Sequence, residues 1–352
     1  MVSIRFNLLL ILIINKFYKL TIIRLNMRIA FVGKGGSGKS TIASFFVNHL
    51  VNEKIPQVVI DADINMHLSF LLGIKHDKSK SISLPQNSNE IRKYLRGNNN
   101  NINSPTDFVK TTPPGTGSNF LDISSDNFIL KNFSTKISEN SYFLDVGTYE
   151  SVGIGTSCYH GNLSVLENVL THSLEKEDEF VVVDMVAGTD AFSNSLHLLF
   201  DAIVFVLEPT PESVKVYEKY IELSNHSGVK ENIFVLLNKF EDEDDISFVE
   251  SKGIKIDFKV PYSKFIKKRL QNINDGTSIN AGYENFNDSI LSDIKAQMES
   301  IKKETKNVMK DRNSLLKKIF ELHKKYISQN YIVKTLGDLN SQIDLNFEFP
   351  KK

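Results

Sequence analysis

One cysteine, Cys158, serves the whole 352-residue chain. No disulfide can therefore close within it, a zinc knuckle made from one chain lacks its thiolates, and the usage fits a reducing compartment. Net charge is absent too, since 42 basic and 42 acidic residues balance. Nothing global argues for nucleic acid or an anionic membrane, so any charged binding surface has to be local. A membrane-length apolar run is also missing near the start. Residues 8–14 are apolar, between Arg5 and Lys16, Lys19 and Arg24, but fall far short of the roughly 20 residues needed to span a bilayer. No small-residue cleavage site follows to suggest a secretory signal. Residues 1–26 read as an upstream mis-start, a loosely attached extension or an interfacial anchor.

What is present is a hydrophobic share of 41%, enough for a sizeable core. Met27-Arg28-Ile29-Ala30-Phe31-Val32 reads as a buried first strand. Further β-branched runs at 57–60, 142–146, 180–185, 202–207, 233–238 and 254–260 are nearly all apolar, as strands covered on both faces should be. Helical patterns follow at 41–52, 163–174, 213–224 and 262–271. The alternation predicts an α/β fold, doubly wound around a mostly parallel sheet. We expect one α/β domain over 27–285, with an irregular, partly mobile edge insertion at about 75–140 that holds an asparagine tract and a Pro/Gly-rich stretch. Residues 286–352 read as a helical extension. There Ile294, Ile301, Val308, Leu315 and Leu322 recur every seven residues, interleaved with Met298, Thr305, Arg312, Ile319 and Tyr326. Thr305 and Arg312 interrupt that seam. The spacing predicts a long amphipathic helix lying on its own domain or a partner, a self-paired coiled coil, or a basic membrane-surface helix.

The strongest local signal is Gly33-Lys34-Gly35-Gly36-Ser37-Gly38-Lys39-Ser40-Thr41, a P-loop pattern between a predicted strand and a predicted helix. Glycines let the backbone curl so that its N–H groups face phosphate oxygens, helped by the positive helix end. Lys39 would reach the β- and γ-phosphates, and the Ser40 hydroxyl would ligate Mg²⁺. The next strand ends in Asp61-Ala62-Asp63-Ile64-Asn65, where acidic groups can hold Mg²⁺ and orient an attacking water. Asp61 and Asn65 fit helix caps equally. The apolar run ending at Asp184 looks like a Walker B strand, with Asp184 on Mg²⁺ through water and Gly188 letting the following segment approach the γ-phosphate. Asn238-Lys239 closes another apolar strand.

Lys34, directly after the first glycine, resembles the deviant Walker A signature of the ParA, MinD, nitrogenase iron-protein and CooC families. By that resemblance Lys34 crosses a nucleotide-sandwich homodimer to touch the partner's phosphates, and Asp63 positions the hydrolytic water. Asn238-Lys239 is similar to the pair that many P-loop proteins of this class use against the base. Asp184-Met185-Val186-Ala187-Gly188 resembles the DMEAG run of the CooC-type ATPases, which assist nickel insertion into carbon monoxide dehydrogenase, with Val186 in place of the acid. Leu207-Glu208-Pro209-Thr210-Pro211-Glu212-Ser213-Val214 and Val260-Pro261-Tyr262 follow in the same order, so the likeness covers about 27–276. Where that family has Cys-x-Cys, this chain has Thr156-Ser157-Cys158-Tyr159-His160. Cys158 falls on the second cysteine, or, with a longer loop, Cys158 and His160 take both ligand places. Two chains would then offer a Cys₂His₂ set that suits Zn²⁺ or Ni²⁺.

The resemblance implies a slow, cytoplasmic, Mg²⁺-dependent ATPase that dimerises on ATP and acts on a client protein, with metallocentre maturation as the leading role. A ParA- or MinD-like positioning ATPase on membrane or nucleoid is the alternative, and a small-molecule kinase sharing the core is a third reading. No specific nucleic acid is expected.

Overall fold

The computed structural model describes residues 27–75, 77–148, 159–174, 176, 178–189, 192, 195–272, 278–279, 289–308, 311–329 and 337–350. Its strands are β1 (Met27–Gly33), β2 (Gln57–Ala62), β3 (Thr135–Ser138), β4 (Ser141–Asp145), β5 (Phe180–Met185), β6 (Ala202–Leu207), β7 (Ile233–Phe240) and β8 (Phe258–Pro261). The helices are α1 (Lys39–Asn52), α2 (His67–Leu71), α3 (Pro85–Arg96), α4 (Phe128–Phe133), α5 (Tyr159–Thr171), α6 (Leu196–Leu199), α7 (Pro211–Ser227), α8 (Glu243–Glu250), α9 (Lys264–Gln271), α10 (Ser289–Asn307) and α11 (Arg312–Gln329). The strands form one sheet in the order β3-β4-β2-β5-β1-β6-β7-β8. All neighbours are parallel except β3 with β4, an edge hairpin. None of the described helices is long and apolar enough to cross a membrane.

Alternation along the strands splits the core into two layers. On β1, Ala30 and Val32 face one layer, while Met27, Ile29 and Phe31 face the other. Val181 and Val183 of β5 join the first, Phe180 and Val182 the second. Helices α3, α5, α7 and α8 cover the first layer, and α1, α2 and α10 the second. With helices on both faces, the central strands carry apolar side chains at nearly every position, which explains why they read as continuous runs.

The predicted strand at 254–260 shortens to β8, and β3 is an addition. Residues 75–140 do lie at the sheet's edge, but they contain α3, α4 and β3 instead of an irregular loop. Ile91 and Leu95 of α3 are fully buried. The asparagine tract is part of the packing: the buried Asn99 amide donates to Ser118 Oγ at 3.1 Å, and its carbonyl oxygen accepts from Asn101 N at 2.9 Å. Polar side chains that close turns on themselves carry no hydrophobic periodicity, so this order is invisible to pattern reading.

The extension is not one long helix. One helix, α10, ends at Asn307 and the next, α11, starts at Arg312, and the two lie on opposite faces of the sheet. Ile294, Met298 and Ile301 are buried in the layer beside α1, and Leu315 and Ile319 in the other. A seam buried in its own domain is not available for a coiled coil or a membrane surface. Its two interruptions have structural causes. Thr305 bonds back to the Ile301 carbonyl at 2.8 Å, and Arg312 makes a two-pronged ion pair with Asp201, at 3.0 Å and 2.7 Å.

Candidate functional site

β1 ends at Gly33, and the chain turns through Lys34, Gly35, Gly36, Ser37 and Gly38 into α1, whose first turn holds Lys39, Ser40 and Thr41. Two glycines are required by geometry. A Cβ on Gly33 would meet the Val206 carbonyl oxygen at 2.5 Å, and one on Gly38, at φ +90°, would meet the Asn238 amide at 2.4 Å. Gly38 precedes α1 without a side-chain cap, and the first turn has no acidic residue. The N–H groups and positive dipole at this end therefore stay available to an anion.

Two carboxylates meet behind the loop because β2 and β5 are neighbours in register, Asp61 opposite Asp184. Both are fully buried. Asp61 accepts from the backbone N–H of Asp63 at 3.1 Å and of Leu68 at 3.0 Å, which ties the turn after β2 to the start of α2. Burial, and then the charge of Asp184, push the Asp61 pKa well up. Burial pushes Asp184 up to about 7, against the pull of Lys39 and Ser40. The Ser40 hydroxyl is close enough to draw the Asp184 pKa down, yet neither carboxylate oxygen has a hydrogen-bonding partner. Orphaned, buried carboxylate oxygens beside a hydroxyl and a second carboxylate form a donor set that suits Mg²⁺. Asp184 and Ser40, with Asp61 behind them, are the residues that would hold it.

Asp63 behaves differently. Burial would raise its pKa, but the Lys39 ammonium pairs with it and holds it below the usual carboxylate range. Asn65 fixes the same carboxylate through its backbone and side-chain N–H groups, both at 2.9 Å. Lys34 is half-buried in the loop, and its backbone carbonyl accepts from Ser37 N at 3.1 Å.

Asn238 and Lys239 stand at the end of β7, and both bond to the loop. The Asn238 amide donates to the Ser37 carbonyl at 2.7 Å. Lys239, at φ +62°, reaches the Gly36 carbonyl and Glu208 Oε1, each at 2.7 Å. Sequence reading assigned no role to Glu208. Its position at the end of β6, one strand from Lys239, was the available signal. On the other side, Gly188 N donates to Gly33 O at 2.9 Å, so the segment after Asp184 touches the loop directly. Val186, where the resembled family has an acid, is buried in the core. Cys158 lies outside the described residues, as do residues 1–26, and His160 enters only as a backbone position in the first turn of α5.

The raised Asp184 pKa has a testable consequence. The folded state keeps a proton on this group between about pH 4 and pH 7 that the unfolded chain releases, so stability falls as pH rises through that window. Asp184→Asn is therefore expected to raise the melting temperature at pH 8 by a few degrees, with the gain fading towards pH 5. Thermal melts of both proteins without divalent cations check this. A variant that melts lower than wild type at pH 8 would contradict it.

Residues 29–332 match the family model for the CobQ/CobB/MinD/ParA nucleotide binding domain. An uncharacterized ATP-binding protein of Methanocaldococcus jannaschii is 30% identical over 249 residues, covering 69% of this chain and 88% of that protein. The carbon monoxide dehydrogenase accessory protein CooC of Rhodospirillum rubrum is 25% identical over 248 residues, covering 68% and 86%. Among solved structures, a ParA family ATPase from Chlorobium tepidum superposes with a TM-score of 0.55 at 16% identity, over 78% of this chain and 98% of that one. The chain belongs to the CobQ/CobB/MinD/ParA nucleotide-binding family.

Proposed function

We propose that this family member is a cytoplasmic, Mg²⁺-dependent ATPase that dimerises on ATP and acts on a client protein in metallocentre maturation. The observation that carries the ATPase reading is the convergence of Lys39, Asp63, Ser40 and Asp184 at the uncapped N-terminus of α1. Such a site needs little covalent chemistry of its own, because phosphoryl transfer is promoted by positioning and charge. Lys39 is the cation for which a terminal phosphate competes with Asp63. Once Lys39 turns to the phosphate, the Asp63 carboxylate, still held by Asn65, is free to accept a hydrogen bond from the attacking water. Its depressed pKa keeps it ionised at neutral pH. Bound magnesium would supply positive charge against the phosphate oxygens. Gly188, tied to Gly33, passes the state of the loop to the segment beyond it.

The maturation role is supported by the similarity to an accessory protein of carbon monoxide dehydrogenase and by Cys158 and His160, which two chains together would offer to Zn²⁺ or Ni²⁺. Lys34 supports dimerisation through its place in the loop. Size-exclusion chromatography with light scattering is the test. Wild type is expected to be monomeric in Mg-ADP and dimeric with a non-hydrolysable ATP analogue, and Lys34→Ala monomeric in both. A wild-type monomer in both states would remove the dimer from the reading. Stoichiometric Ni²⁺ or Zn²⁺ in the dimer, lost in Cys158→Ala, is expected for maturation. Co-sedimentation with liposomes or DNA in ATP would point to positioning instead.

A further inference from the structure

Helix α5 carries a carboxylate that the hydrolytic site does not use. Leu163, Leu166 and Leu170 bury one face of this helix, and Glu167 is buried with them at 1% exposure. A carboxylate in an apolar layer is costly unless it holds a donor. Glu167 Oε2 accepts from the backbone N–H of Ser195 at 3.3 Å. Ser195 is the cap position of α6 and makes no side-chain cap of its own. It closes the stretch of chain that leaves β5 after Asp184. A second anchor lies in the same stretch: the Phe192 ring packs against His197 at 4.7 Å and edge-on to Tyr220 at 4.8 Å. The near end of the stretch is tied to the loop through Gly188 and Gly33.

We propose that Glu167 is a positioning residue for hydrolysis, clamping the far end of the segment after Asp184 so that its near end stays registered on the P-loop. The idea rests on the ATPase reading but is tested apart from it. By holding Ser195 against α5, such a clamp acts on turnover more than on binding.

Titration supports the geometry. Burial lifts the Glu167 carboxyl to about 7, against the hydrogen bonds from Ser195 and the charge of Lys110. Arg92, His197 and His172 on the surrounding elements have contacts of their own. Arg92 of α3 bonds to Asn168 and Ser164, both at 3.1 Å, and His197 of α6 stacks on Phe192. His172, just past α5, packs against Phe108 and Phe120. The ionised carboxylate is the better acceptor, so the clamp tightens as pH rises through about 7.

The chain has no tryptophan, so Phe192→Trp gives a single fluorescent reporter on the clamped segment. Its emission, read without nucleotide, is expected to shift between pH 6 and pH 8, and the shift to vanish when Glu167→Gln is added. In steady-state kinetics Glu167→Ala is expected to lower kcat about tenfold, with KM changed less than about twofold. Equal pH-dependence with and without Glu167→Gln overturns the proposal, and so does a folded Glu167→Ala protein with wild-type kcat. If Glu167→Ala does not fold, the reporter pair decides. Failure of wild type to bind Mg-ATP in calorimetry would sink the ATPase reading alone, while the nucleotide-free titration still reads the clamp.

Discussion

Lys39→Ala is expected to lower ATP hydrolysis by about 10²–10³-fold in kcat, the usual cost of removing one donor from a site of developing negative charge. The structure adds a second consequence. Lys39 is paired with Asp63 in a site where both side chains are nearly inaccessible, 8% and 2% exposed. Removing the ammonium leaves the Asp63 carboxylate without the charge that offsets its burial, and Asp184 loses the same neighbour. Both carboxylates are then expected to take up protons more readily, and the variant to melt lower than wild type at pH 8. The companion Asp63→Asn separates the two roles. It keeps Lys39 for the phosphate and is expected to bind Mg-ATP in calorimetry while releasing phosphate far more slowly than wild type. Phosphate release and calorimetry on the three proteins give the answer. Near-normal hydrolysis by Lys39→Ala would mean that the loop serves some purpose other than phosphate transfer.

The second large effect is on stability, at the opposite end of the sheet. Asp201, fully buried just before β6, accepts from the Arg28 backbone N–H at 2.8 Å and from both terminal nitrogens of Arg312. Arg28, at 1% exposure, in turn sends its guanidinium to the Ser173 carbonyl at 3.0 Å. The cluster fastens α11 to the start of β1 and β6. Breaking a buried pair by deleting one partner costs about 3–5 kcal/mol, because the remaining charge stays out of water. Arg312→Ala is therefore expected to lose about that much in urea unfolding. Below its unfolding transition the variant is expected to keep wild-type kcat, since the phosphate loop leaves β1 at the other end of the strand. A loss under about 1 kcal/mol would indicate that the extension is held by its apolar side chains alone.

Several parts of this protein were legible one segment at a time. Residues 180–185 and 202–207 read as strands and are strands to the residue, because a strand covered on both faces has an apolar residue at nearly every step. The phosphate loop was equally plain: its glycines, lysine and serine are neighbours in the chain, and its geometry is made by local backbone torsions. Asp61, Asp63 and Asp184 stood out because each lies at the end of such a strand, and the fold brings Asp61 opposite Asp184 and Asp63 onto Lys39. Glu167 could have been found as well, since an acid between Leu163 and Leu170 at helical spacing lies on a face meant for the interior.

Other features needed the assembled chain. Nothing in the heptad spacing said that α10 and α11 would part and cover opposite faces, because periodicity tells which side of a helix is apolar and not what it meets. Arg312 looked like a flaw in a seam until Asp201, 111 positions away, was beside it. Asn238 and Lys239 brace a loop 201 and 203 positions distant. Sequence alone determined the central strands, the apolar side of the regular helices and the phosphate loop, since all three follow from chemistry between chain neighbours. Tertiary structure alone decided which charges are paired, which carboxylates are pushed towards neutrality and where the extension docks, because those depend on burial and on distances between residues far apart in the chain.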